Sequence, residues 1–357
     1  MSSTFGNRIK ISVFGESHGE AIGCVIDGLP HGIELDTEQI KKEMKRRAPG
    51  QDKSATPRRE ADEPKILSGV LNGKTTGAPL AMIIENTNTR SSDYGNIMTV
   101  PRPSHSDYPA YIKYGGDNDI RGGGHFSGRL TAPLVFAGAV AKQILAQKGI
   151  FIGSHIKKIG PAEDECFDKN NITPELLEAL SNDLFATISN EKELEMRTVI
   201  ETARLEGNSV GGIIECAAVG VPAGIGGNMF DTVESRLSSA LFGIPAVKGV
   251  EFGAGFGFAD MTGYQANDAY EIKNGGVALK TNNNGGVLGG ITSGAPIVFS
   301  VAIKPTPSIS IAQESVNLQT MQNETLVIKG RHDPCIVPRA LPVVEGACAI
   351  VLLDLMM

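Results

Sequence analysis

The sequence predicts an α+β protein in which two related strand–helix–strand halves set sheet against helix layers. Three observations lead there. First, Gly-Leu-Pro-His-Gly-Ile at 28–33 resembles Gly-Val-Pro-Ala-Gly-Ile at 220–225. Each follows an apolar strand with a cysteine four residues before its first glycine (Cys24, Cys216), and each precedes a helix opening with Asp-Thr (Asp36-Thr37, Asp231-Thr232). Second, Gly-Ala-Pro-Leu-Ala-Met-Ile-Ile from Gly77 matches Gly-Ala-Pro-Ile-Val-Phe-Ser-Val from Gly294. Third, no proline- or serine-rich linker separates the halves, so residues 1–357 are expected to form one domain. Chance similarity in a glycine-rich chain is the competing explanation.

The elements follow in order. Residues 9–14 and 22–27 read as strands flanking a Gly-Glu-Ser-His-Gly loop. Residues 36–47 read as a helix: Asp36 can cap it, Gln39 completes a capping-box-like spacing, and Pro49-Gly50 stops it. Residues 80–85 form a short apolar strand. Residues 128–148 give the longest helical pattern, with Pro133 in or near the first turn and Gly149 after the end. Residues 160–206 are lysine- and glutamate-rich and read as a peripheral helical insertion. Residues 297–303 are a strand, and the apolar run to Leu355 is helix-compatible.

With 41% hydrophobic and 20% charged residues, the composition is that of a globular protein. A net charge of −7 argues against a general nucleic-acid or anionic-membrane binder, which needs a basic face. Local arginines at 46, 47, 58 and 59 would have to overcome that field to hold an anion; charge clusters also serve as plain solvated faces. Five cysteines, with no Cys-x-x-Cys pair, suggest neither a disulfide framework nor a zinc site, and no metal is expected. A reducing cytoplasm fits. The first ten residues lack a signal pattern, and the apolar stretch 347–357 is too short to span a membrane.

Four histidines sit in glycine-rich or arginine-bearing runs: His18 in 15–19, His105 in Arg-Pro-Ser-His-Ser-Asp (102–107), His125 in Arg-Gly-Gly-Gly-His-Phe-Ser-Gly-Arg (121–129) and His332 in Gly-Arg-His-Asp-Pro (330–334). Histidine exchanges protons near neutrality, and arginine grips phosphate or carboxylate with a fixed fork. The runs together suggest one site, assembled from distant loops, for an anionic substrate and proton traffic. Singly, each has a plainer reading. His18 and His105 also fit ordinary turns, with Asp107 placed to orient the ring of His105. Arg121 and Arg129 bracket three glycines that can cradle a phosphate at a helix start, without a P-loop ending. The Gly253–Gly257 run reads as a turn. Lys304-Pro-Thr-Pro-Ser308 makes a stiff loop suited to a second phosphate, with Gly289 and Gly290 open to a planar ring. Asp333 reads locally as a helix cap and, in the sharper reading, as a catalytic base; Cys335 reads as buried filler.

Taken together, these runs resemble the chorismate synthase family over nearly the whole chain. The resemblance rests on runs 15–19, 46–50, 58–62, 84–87, 102–107, 121–124, 246–249, 286–290 and 330–335. It implies a single βαβ sandwich, with helices packed between two mainly antiparallel sheets, assembled as a homotetramer. It also implies anti-1,4-elimination of phosphate from 5-enolpyruvylshikimate 3-phosphate to give chorismate, the last step of the shikimate pathway. Reduced FMN is required without net redox change, and NADPH serves only as a source of reducing equivalents. By motif matching, Arg47, Arg102, Arg129 and Arg331 would hold the substrate. His18 would protonate near the leaving phosphate and His105 near the reduced flavin. Asp333 would assist deprotonation through flavin N5, with Ser17 and Ser127 as hydrogen-bond partners. FMN would lie along Arg47, Lys53, His125, Phe126, Ser127, Pro245, Ala246, Gly289, Lys304, Pro305, Thr306, Pro307, Ser308 and Arg331. Many family members carry Arg where this chain has His125, which leaves that contact open. A non-catalytic flavin or nucleotide-phosphate binder and a phosphotransferase are the competing classes; the first has no need of the histidine–aspartate set, and the second lacks its P-loop.

Overall fold

A computed structural model describes residues 3–51, 62–86, 99–273, 275–328 and 333–357. The first half contributes β1 (Thr4–Phe5), β2 (Lys10–Gly15), β3 (Ala21–Asp27), α1 (Thr37–Arg47), β4 (Lys65–Ser68), β5 (Val70–Leu71), β6 (Lys74–Thr75), β7 (Leu80–Glu85), α2 (Asp107–Tyr114) and α3 (Thr131–Ala146). The second contributes β8 (Phe151–Ile159), β9 (Ala162–Glu163), α4 (Pro174–Ser181), α5 (Asn190–Leu205), β10 (Gly212–Val219), α6 (Val233–Phe242), β11 (Val247–Phe252) and α7 (Gly263–Ala266). There follow β12 (Tyr270–Lys273), β13 (Gly276–Leu279), β14 (Val287–Leu288), β15 (Ile291–Thr292), β16 (Ile297–Ile303), β17 (Gln313–Asn317), β18 (Gln322–Leu326) and α8 (Val337–Met356).

Two antiparallel five-stranded sheets result, ordered β1-β2-β3-β7-β4 and β11-β16-β10-β8-β9. The second repeats the first: β8, β10, β16 and β11 stand where β2, β3, β7 and β4 do, with α6 in place of α1. One hydroxyl secures each copy. Thr75 Oγ1 accepts from Ile33 N at 2.9 Å and donates to Pro30 O at 2.7 Å. Thr292 Oγ1 accepts from Ile225 N at 2.9 Å and donates to Pro222 O at 2.6 Å. Cys24 and Cys216, the cysteines of the repeat, are fully buried. The caps differ: Asp36 caps α1, whereas Thr232, not Asp231, caps α6.

Helices α3 and α8 fill the space between the sheets, α3 against β2, β3 and β7, and α8 against β8 and β10. Both are apolar on nearly every face, as a helix with no solvent side must be. They cross backbone to backbone: a Cβ added at Gly138 would lie 2.2 Å from Gly346 Cα. The first turn of the pattern predicted over 128–148 is a separate 3₁₀ turn (Gly128–Leu130). The charged segment 160–206 is largely helical, but it is more than a peripheral cover. Its Leu177, Leu180, Phe185, Met196 and Ile200 join the main buried cluster against the second sheet.

The polar atoms inside this layer are paired. Glu345 takes Arg46 at 2.7 and 2.8 Å, Lys142 at 2.5 Å and Ser154 at 2.7 Å. Burial alone would raise its pKa, but Arg46 and Lys142 outweigh it and hold the carboxyl at about 2. Arg46 therefore serves the core, while its neighbour Arg47 turns the other way.

Candidate active site

The Gly-Glu-Ser-His-Gly loop joins β2 to β3 and is fixed from two sides. Ser17 N donates to Gly124 O at 3.1 Å, and the Asn86 amide donates to Glu16 O at 3.0 Å and Gly19 O at 2.9 Å. His18 is thereby held nearly buried against Gly122. Gly122, Gly123 and Gly124 all have positive φ (60°, 88° and 54°), which only glycine adopts in succession at little cost. A Cβ at Gly122 would sit 2.3 Å from the His18 ring, and one at Gly123 would sit 3.3 Å from the His105 ring. The run thus admits two histidines, and a separate 3₁₀ turn stands between it and α3. Arg121, expected to share in a phosphate cradle, turns outward and pairs with Asp119 at 2.8 Å.

His105 sits just before α2. Its Nδ1 lies 2.6 Å from Asp107 Oδ1 and 3.1 Å from Arg102 Nη2. Only the carboxylate can accept a proton from Nδ1, so Nδ1–H points there and Nε2 is the exchangeable nitrogen. Burial alone would raise the Asp107 pKa, but hydrogen bonds from Arg102 and His105 hold it well below the usual carboxylate range. Arg102 spends Nε and Nη2 on Asp107 at 2.7 and 2.8 Å and reaches Ser308 Oγ through Nη1 at 3.3 Å.

Arg47, in the last turn of α1, donates to Thr131 Oγ1 at 3.2 Å, Asp62 Oδ2 at 2.5 Å and Gly128 O at 3.0 Å. Arg129 meets the other oxygen of Asp62, and its Nε reaches Asn86 Oδ1 at 3.2 Å. Asp333 does not cap α8, whose N-cap is Ile336; it pairs with Arg339, which also donates to Arg47 O at 2.9 Å. Burial pulls the Arg339 pKa down from its ordinary value.

Across the cleft, Lys304 N donates to Ala246 O at 2.9 Å and Lys304 Nζ to Ser104 O at 2.6 Å. Ala246 and Ser104 both carry positive φ (75° and 57°), a strain characteristic of ligand clamps. Burial, then Lys248, lowers the Lys304 pKa. His125 bridges Gly15 O at 2.8 Å and Ser3 Oγ at 2.7 Å. Ser127 Oγ accepts from Arg129 N at 3.3 Å.

One cavity of about 1100 Å³ unites these groups. Ser17, His18, Arg47, Arg102, His105, His125, Phe126, Ser127, Arg129, Pro245, Ala246, Lys304, Thr306, Pro307, Ser308 and Asp333 all line it. Pro305 is not in the lining, and Gly289 occupies the β14–β15 turn, also outside it. Lys53, Arg58, Arg59, Arg331 and His332 lie outside the described residues. Asp62, Asn86, Arg339 and Lys248 were not singled out in the sequence. Asp62 closes the 58–62 run, but its partners lie 15 and 67 residues away. Among the described residues no group of histidine, cysteine and carboxylate side chains could hold a metal ion.

A duplicated antiparallel sandwich, with proton-transfer groups and paired arginines around one large cavity, defines an enzyme for a multiply anionic small molecule. The chain belongs to the chorismate synthase family, lyases of the shikimate pathway to the aromatic amino acids: the family model described as chorismate synthase matches residues 9–357. The chorismate synthase of Thermococcus kodakarensis is 51% identical over 350 residues, covering 98% of this chain and 96% of that protein. That of Pyrococcus abyssi is 51% identical over 351 residues, with the same coverage. A crystal structure of chorismate synthase superposes with a TM-score of 0.78 at 32% identity, covering 99% of this chain and 92% of that one.

Proposed function

We propose that this cavity converts 5-enolpyruvylshikimate 3-phosphate into chorismate and phosphate, with reduced FMN bound beside the substrate. The observation that carries the reading is the seating of His18 and His105 on adjacent glycines of one loop, over a cavity shared with Arg47, Arg129 and Asp333. About 1100 Å³ exceeds what one drug-sized ligand occupies and suits two.

Phe126, Pro245 and Ala246, with Lys304, Thr306, Pro307, Ser308, His125 and Ser127, line the cavity together and would hold the flavin. When bound, reduced FMN supplies electron density that helps phosphate leave, without net redox change. Arg47 and Arg129 bind the anionic groups of the substrate, and Arg102 assists through the loop it braces. His18 holds a proton for the leaving phosphate. His105 keeps a proton at Nε2 toward the cofactor, its Nδ1–H fixed by Asp107. Asp333, held by Arg339, presents an oxygen for the ring proton.

The same reading includes a single domain over 1–357, a cytoplasmic location, an outside source of reducing equivalents and a homotetramer. The last has support in the β12–β13 hairpin, where Ile272 and Val277 face each other and are both exposed; light scattering of the purified protein tests it. For the reaction, anaerobic protein with reduced FMN should release phosphate from the substrate without net NADPH consumption. His18→Ala and His105→Ala should each lose about 10²–10⁴-fold in rate. Absence of phosphate release, or near-wild-type turnover in both variants, would overturn the assignment. Arg331→Ala is expected to weaken substrate or flavin binding.

A further inference from the structure

Asp62 is the polar group with no part yet in the chemistry. Its carboxylate is fully out of contact with solvent and lies behind Arg47 and Arg129, whose side chains are 5% and 7% exposed. Each carboxylate oxygen takes one guanidinium, Arg47 on Oδ2 and Arg129 on Oδ1. The two arginines come from different elements, the end of α1 and the 3₁₀ turn before α3. Arg47 also donates to Gly128 O and Thr131 Oγ1, and Arg129 to Asn86 Oδ1. Burial alone would raise the Asp62 pKa; Arg47 and Arg129 outweigh it and lower it.

Two further features mark a placed group rather than an incidental ion pair. Asp62 has φ 47°, a left-handed conformation that costs energy for any residue with a Cβ. The bond network also runs on from Arg129 to Asn86, whose amide holds the His18 loop at Glu16 O and Gly19 O. A shift of Asp62 would therefore move the anion-binding pair, while the His18 loop stays held by Asn86 and by Gly124.

We infer that Asp62 is a positioning residue. It spaces Arg47 and Arg129 for two oxygens of an anionic ligand and halves the excess charge of the pair, so that their remaining N–H groups face the cavity without mutual repulsion. This rests on the reading of the cavity as the substrate site. Arginines that hold ground state and transition state alike act on KM, not kcat.

The test compares Asp62→Glu and Asp62→Asn with wild type. Glutamate keeps the charge but pushes both guanidinium groups outward by one methylene. KM for the substrate should rise about 10- to 100-fold, since misplacement by about 1 Å has effects of that order. The expected kcat stays within threefold, and inorganic phosphate, measured calorimetrically well below the melting temperature, should bind at least tenfold more weakly. A purely structural role predicts a lower melting temperature with KM and phosphate affinity within twofold of wild type at low temperature, and that result overturns the inference. If the glutamate variant does not fold, asparagine, which keeps the volume, decides: native circular dichroism with tenfold weaker phosphate binding supports the inference, and unchanged affinity overturns it. Wild-type protein that binds phosphate yet releases none from the substrate overturns the functional reading, and the phosphate arm then decides the role of Asp62.

Discussion

Gly122→Ala separates the chemistry of the His18 loop from the stability of the fold. An alanine Cβ at this position would lie 2.3 Å from Cε1 and Nδ1 of His18 and 2.8 Å from Ser17 Oγ. Ordinary contact begins near 3.4 Å, so the ring must retreat by about 1 Å. The substitution also places a side chain at φ 60°, a strain of about 1–2 kcal/mol. Gly149→Ala is the matched control, because it has φ 77° and nothing within 4 Å of its added Cβ. Both variants should lose stability to the left-handed strain, read as drops in melting temperature, with a further loss in Gly122→Ala from the contact with His18. Their rates should part. A displacement of about 1 Å in a catalytic group can cost about 10²-fold, and complete loss of the acid up to about 10⁴-fold. Phosphate release under anaerobic conditions with reduced FMN measures this. If kcat of Gly122→Ala stays within threefold of Gly149→Ala, the claim that the glycine run exists to seat His18 is wrong.

Asp107→Asn removes the carboxylate that fixes Nδ1–H of His105 and should lower kcat by about 10²-fold or more, with flavin affinity little changed by fluorescence titration. Glu345→Gln leaves Arg46 and Lys142 with Glu43 as their remaining shared carboxylate and should cost about 1–3 kcal/mol by urea denaturation. Because the folded pKa of Glu345 is depressed, its contribution is present above the ordinary value of 4.5. It is lost as pH falls toward about 2, so the gap between variant and wild type should close over that window. His155 behaves in the opposite sense. Burial alone would lower its pKa, but hydrogen bonds to Asp164 and Glu215 outweigh it and raise the value above 6.5. Its stabilisation is therefore full below pH 6.5 and fades as pH rises through the raised value, so His155→Gln should approach wild-type stability in alkaline urea titrations.

Strands 80–85 and 297–303 were legible because a short apolar run between turn residues has few other uses, and α1 because Asp36 announces its start. The duplication was legible because each glycine of the repeat answers a backbone requirement: Gly28 and Gly220 both have positive φ and both press on an incoming strand. Side-chain direction was not legible. Arg121 and Arg129 look alike in the sequence, yet Asp119 draws one outward while Asp62, behind the cavity wall, anchors the other in its lining. Three successive glycines spell a phosphate loop as readily as a seat for two imidazoles, because φ is not written in the letters. Asp333 looked like a cap because the sequence hides Arg339, one and a half turns on, which claims its carboxylate.

The contact of Gly138 with Gly346 acts as a gauge block. Leu130, Thr131 and Leu134 on one side, and Val343, Ala347 and Ile350 on the other, face the cavity from the two chain segments that touch there. The spacing of the two helices that line the chamber is therefore limited where two residues without side chains meet. A methyl at Gly138 would drive into the Gly346 backbone and push the two helices apart, whereas one at Gly346 would meet Gly138 only at ordinary contact distance, so the gauge is set from the α3 side.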